Sequence, residues 1–217
     1  GLHDARVTRW QHSWRMVLTS LVLSIVAAIA GYIWVLPFAA DRLARLVPPS
    51  WMQSLDEVVI GQLKRQDSLA ASTLSEERQT QLRNAFTSAV STHKNAPAVN
   101  VYFFNMGSTP NAFALPGGSI VFLDGIVKLA PNDDALVGVF AHEYGHVLHR
   151  HGMRNLLRTA LVSAVAAWYF GDFTTLANAA ILITQLKYSR DFETQADDTA
   201  VEIMRSKNLD TKSLAEL

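Results

Sequence analysis

Residues 16–40 read MVLTSLVLSIVAAIAGYIWVLPFAA, twenty-five positions without a charge. A helix needs about 20 apolar residues to cross a bilayer, so this run predicts one transmembrane helix. Trp10 and Trp14 before it, and Tyr32 and Trp34 near its end, stand where interfacial aromatic side chains are enriched. Arg6, Arg9 and Arg15 precede the run while Arg42 and Arg45 follow it, a small bias that orients the N-terminus toward the cytoplasm. In a bacterial inner membrane that orientation places the remainder on the periplasmic side. A cleaved signal peptide is the competing reading, but its apolar region normally spans about 7–15 residues. A second apolar stretch, residues 159–186, is interrupted by Gly171 and Asp172. Each half is about a dozen residues, too short to span alone. The pattern favours a buried or membrane-facing helical hairpin over an intramembrane pair.

Between these runs the periodicity changes. VPPS (47–50) breaks the chain. Ser54 with Glu57, and Thr73 with Glu76, have the capping-box spacing, so amphipathic helices are expected near 54–66 and 74–93. VNVYFFN (99–105) and GSIVFLDG (118–125) are rich in β-branched and aromatic residues and read as strands. Between them Asn111, Ala112, Phe113, Ala114 and Leu115 form a short, mostly apolar segment closed by Pro116. Proline cannot donate to a ladder, which suits an edge strand. Such an edge could bind an extended peptide by strand addition; an ordinary hairpin loop fits the pattern equally well. Residues 130–152 then open with Pro131, Asn132, Asp133 and Asp134, a capped helix start with acids near the positive end of the dipole. That helix is expected to close at Gly152.

Composition narrows the chemistry. Lysine plus arginine equals aspartate plus glutamate at 19 each, so net charge gives no argument for a nucleic-acid partner. There is no cysteine, and metal chemistry therefore falls to histidine and carboxylate. Four of the seven histidines lie in VFAHEYGHVLHRHG (139–152). On a helix His142 and His146 share one face about 6 Å apart and can hold one zinc ion. Glu143 projects beside them, placed to take a proton from water activated by the metal, the logic of H-E-x-x-H peptidases. His149 and His151 read instead as helix-end residues that suit the dipole.

A catalytic zinc needs a third protein ligand. The metzincin extension would require glycine at 149 and histidine at 152, where the chain has His149 and Gly152. The best candidate lies in YSRDFETQADD (188–198): Glu193 as ligand, with Asp197 four residues on to fix a ligand histidine's tautomer.

HEYGH followed by YSRDFETQAD resembles the gluzincin peptidases of the CAAX prenyl protease and heat-shock protease HtpX type. The resemblance covers residues 55–217. It implies an α+β, mainly helical zincin-like domain with a small β-sheet, one Zn2+ per chain on His142, His146 and Glu193, catalysis by Glu143, and support from Asp197. It also implies that residues 111–115 bind substrate along an edge strand. His151 and Arg190 resemble family features without an assigned role. The expected organisation is an N-terminal flank (1–15), a transmembrane helix (16–40) and a peptidase domain (41–217). The expected partners are an extended or unfolded polypeptide and the lipid bilayer, and the expected role is turnover of membrane or envelope proteins. A downstream histidine or arginine for the oxyanion has no counterpart before Leu217, and the chain is expected to continue beyond it. A membrane-anchored chaperone with a structural zinc, or a self-inhibited precursor, remains open from sequence.

Overall fold

The computed structural model describes residues 14–65, 69–91, 97–170 and 188–216. Helix α1 runs without a break over Trp14–Leu46 and α2 covers Pro49–Arg65. A two-residue strand β1 (Ala70–Ala71) leads to α3 (Glu76–Val90). The strands β2 (Asn100–Asn105), β3 (Ala112–Ala114) and β4 (Ser119–Leu123) follow, then α4 (Asp124–Leu129), α5 (Asp133–Leu148), α6 (His151–Phe170) and α7 (Arg190–Ser206). A 3₁₀ turn occupies Thr211–Glu216. The fold is α+β and mainly helical around a small sheet.

The sheet order is β1-β2-β4-β3, with β2 and β4 parallel and the outer pairs antiparallel. All five residues of β4 are buried because both faces of this inner strand are covered. Ile120 and Phe122 join Leu82 and Phe86 of α3 and Leu136, Phe140 and Tyr144 of α5 in the main core. Val121 and Leu123 point the other way, onto Val59 and Ile60 of α2. The helix predicted to carry the histidines thus lies against one face of the sheet, with Phe140 stacked 4.6 Å from Phe86.

The turn from β3 into β4 is tied to α2. Asp56, buried, accepts from the Gly117 N–H at 2.7 Å and the Ser119 N–H at 2.8 Å. Gly117 permits the approach, since a Cβ there would sit 2.1 Å from the Met52 carbonyl oxygen. Asp56→Ala would leave both N–H groups without this acceptor and should cost about 2–4 kcal/mol, read as a lower urea midpoint. A second carboxylate, Asp124, accepts from Ser72 Oγ, Thr73 N and Thr73 Oγ1 at 2.6–2.7 Å. Burial pushes its pKa up, but these three bonds and Lys128 outweigh burial and hold it below the ordinary carboxylate value. A lowered folded pKa stabilises above the unfolded value and is lost as pH falls through the folded one. The stability gap between parent and Asp124→Asn should therefore be full at neutral pH and shrink below about pH 4, measured by urea unfolding across that range.

Several boundaries differ from those expected. The apolar helix continues past 40 to Leu46, crossing Pro37 with the help of a wider π-helical turn over Gly31–Val35. The helix predicted from 54 begins at Pro49, where proline's missing N–H costs nothing, and Ser54 instead bonds back to the Ser50 carbonyl. The cap of α3 is Ser75 rather than Thr73, because Thr73 is committed to Asp124. The histidine helix ends at Leu148, not Gly152: Arg150 adopts φ 54 and a new helix starts at His151. Gly152 lies in that helix's first turn, where a Cβ would meet Pro116 at 3.1 Å. Residues 159–170 continue α6, while 171–186 of the predicted hairpin and 1–13 of the N-terminal flank lie outside the described residues.

Candidate metal centre

Helix α5 starts as its sequence dictates. Asn132 caps it by accepting from the Ala135 N–H at 2.9 Å, and Asp133 and Asp134 occupy the first turn. Its apolar face buries Ala135 to Ala141, so His142 and His146 emerge at the far end of a fixed rod. Helix α7 is capped by Ser189, which accepts from the Phe192 N–H, and brings Glu193 in one turn later. The two helices meet backbone to backbone: a Cβ on Gly145 would stand 2.8 Å from the Ala196 Cα.

This approach closes a triangle of ligand atoms. His142 Nε2 lies 3.2 Å from His146 Nε2 and 3.4 Å from Glu193 Oε2, and His146 Nε2 lies 3.9 Å from Glu193 Oε2. Donors at about 2.0–2.1 Å on a tetrahedral ion are separated by about 3.3–3.4 Å, so the three fit one ion with little movement. Two imidazoles and one carboxylate are a borderline donor set suited to zinc. Burial, then the neighbouring His142, His151 and His149, push His146 down to about 3, which keeps it in the neutral form that ligates metal. Tyr188 stacks on the His146 ring at 4.0 Å.

The ring nitrogens turned away from the triangle also have partners. His142 Nδ1 is 2.8 Å from Asp197 Oδ1. His146 Nδ1 is 3.0 Å from Nδ1 of His151, a fully buried side chain rather than a helix-end charge. Glu143 lies beside the triangle and toward β3. Desolvation pushes its pKa up to about 8; the Ala114 N–H bond works against this, and the charge of Glu193 adds to it.

Strand β3 is the edge of the sheet on the side of this site. The Asn111 carbonyl accepts from Leu123 N, and Leu115 N donates to Ser119 O. By strand alternation Phe113 also faces β4, so Ala112 and Ala114 turn their backbone groups away from β4, where the Ala114 N–H donates to Glu143. Of the five residues predicted to meet substrate, these two direct backbone groups away from β4. His142, Glu143, His146, Glu193 and Asp197 all converge. Sequence reasoning noted His151 through the resemblance but gave it no role, and it passed over Gln195 and Tyr188, whose one available signal was that they flank Glu193 in the same short segment.

A model of peptidase family M48 matches residues 72–217, about two thirds of the chain. The chain belongs to peptidase family M48. Among M48 relatives, the mitochondrial metalloendopeptidase OMA1 of Saccharomyces cerevisiae is 34% identical over 45% of this chain and 29% of its own length. The metalloprotease YcaL of Escherichia coli is 28% identical over 58% of this chain and 52% of its own. The β-barrel assembly-enhancing protease of Escherichia coli is 28% identical over 70% of this chain and 33% of its own. The chain thus spans about half or less of the length of these M48 relatives. Peptidase family M48 is a family of gluzincin-type metallopeptidases.

Proposed function

We propose that this M48 chain is a membrane-anchored zinc endopeptidase acting on extended or unfolded segments of membrane or envelope proteins. The observation that carries the reading is the ligand triangle of His142, His146 and Glu193, with Glu143 between it and an open strand edge. His142, His146 and Glu193 would hold the ion. Bound there, zinc supplies Lewis acidity toward water and toward the scissile carbonyl. The substrate backbone pairs with Ala112 and with the Ala114 carbonyl, the Ala114 N–H being held by Glu143, which fixes one peptide bond beside Glu143 and leaves side-chain identity loosely read. Glu143 takes a proton from the attacking water at its carboxylate and delivers it to the departing amine nitrogen. Asp197 accepts from His142 Nδ1–H and fixes that ring's tautomer.

Anchoring rests on α1. Its 33 residues extend about 50 Å at 1.5 Å per residue, against a hydrocarbon core of about 30 Å, so the final turns with Asp41, Arg42 and Arg45 stand clear of the apolar region. The arginine bias, three before the apolar run and two after, supports placing the catalytic side opposite the cytoplasm, the periplasm in a bacterium. Likeness to a protease named for β-barrel assembly supports envelope proteins as the substrate class. The test is zinc removal. Protein stripped with a chelator should lose cleavage of casein and regain it with one equivalent of zinc per chain. Cleavage that persists after zinc is gone would refute the reading.

A further inference from the structure

We propose that His151 is a positioning residue for the metal ligand His146, setting its tautomer through an imidazole-to-imidazole hydrogen bond. The inference rests on the zinc reading above. If His146 is to present the Nε2 lone pair to a metal, its proton must sit on Nδ1. The atom facing Nδ1 is His151 Nδ1, 3.0 Å away. Two such nitrogens can bond only if one donates and the other accepts, so His151 must carry its own proton on Nε2. The next group along is suited to that arrangement: His151 Nε2 faces Gln195 Oε1 at 3.5 Å. Gln195 is turned this way because its amide nitrogen donates to the Asp191 carbonyl at 3.1 Å, leaving the oxygen toward His151. The proton order therefore runs from Gln195 through His151 to His146 and ends in a lone pair at the ligand triangle.

Backbone geometry places His151 for this task. On one continuous helix residues 146 and 151 would project about 140° apart and could not touch. The left-handed Arg150, φ 54, ends α5 and swings the next residue back onto the same side. Arg150 is rarely comfortable there, and its guanidinium is held by the Ala44 carbonyl at 2.7 Å. The His151 ring is then clamped, stacked at 4.1 Å and 7° on Phe192, the neighbour of Glu193. The two metal histidines are thus backed by different chemistry. His142 leans on an exposed carboxylate, whereas His146 leans on a buried neutral ring, which a buried second carboxylate could replace only at a desolvation cost.

The test compares His151→Asn with His151→Leu in the full chain, reading zinc affinity by chelator competition and thermal unfolding of the metal-free protein. Asparagine keeps an acceptor where Nδ1 stood; leucine fills more of the space but accepts nothing. His151→Leu should weaken zinc binding by about 10–100-fold, the usual loss for an outer-shell partner, and His151→Asn should recover most of it. Metal-free stability should rank the other way, with leucine above asparagine. Those opposite rankings support the proposal, because a packing role alone would put leucine ahead in both. Zinc affinity of His151→Leu equal to the parent's, or not below that of His151→Asn, overturns it while leaving the zinc reading intact. A parent that binds no zinc overturns both.

Discussion

Glu143→Gln should reduce cleavage of an unfolded protein by about 10²–10⁴-fold, the contribution of a general base, with zinc content unchanged. Glutamine keeps the shape of the side chain and an oxygen to accept from the Ala114 N–H, so β3 should stay in place. What it loses is the capacity to take a proton. The measurement is turnover at saturating casein together with metal analysis of the same sample. Retained zinc with lost turnover separates a peptidase from a chaperone whose zinc is structural, since that protein would have no turnover to lose. Parent-like turnover in the variant would remove Glu143 from the mechanism.

Gly145→Ala should have a comparably large effect without touching a ligand. The added methyl would lie 2.8 Å from the Ala196 Cα, 3.1 Å from its carbonyl oxygen and 3.2 Å from the Thr199 Cβ. Backbone atoms cannot rotate aside, so α5 and α7 must separate. His142 and His146 ride on α5 and Glu193 on α7, and the triangle opens as the helices part. Overpacking of this kind costs about 1–3 kcal/mol, and zinc affinity should fall with it. Calorimetry and chelator competition on the variant check both; unchanged affinity would mean that the helices tolerate the methyl without moving the ligands.

The contrast between His146 and His151 shows what was legible in the chain. His142 and His146 could be paired from sequence because helical periodicity alone puts positions four apart on one face. Glu193 and Asp197 could be proposed from the same spacing, but only tertiary packing, licensed by Gly145 against Ala196, brings them to the histidines. His151 was assigned to a helix end because no local signal marks a non-glycine residue as left-handed, and the break at Arg150 changes which side His151 faces. The early helices slipped for a related reason. Thr73 has the right spacing for a cap, yet its hydroxyl and N–H are taken by Asp124, fifty-one positions later in the chain. The edge position of β3 was suggested by Pro116, whereas its outward-facing groups depend on the register with β4.

Under the proposed function, the junction between α1 and the rest of the molecule bears on how cleavage sites would be chosen. Asp41 pairs with Arg154 of α6 at 3.0 Å and Arg154 lies over the Phe192 ring, while Val47 and Pro48 alone separate α1 from α2. An enzyme on a long tether sweeps a volume and meets substrates at many heights. One joined through packed side chains is held at a single height above its anchor. A polypeptide emerging from the same bilayer reaches that height after a set number of extended residues, at about 3.3–3.6 Å each. Selection by distance from the membrane would then take the place of selection by side chain, and the backbone pairing proposed for β3 would suit such a ruler.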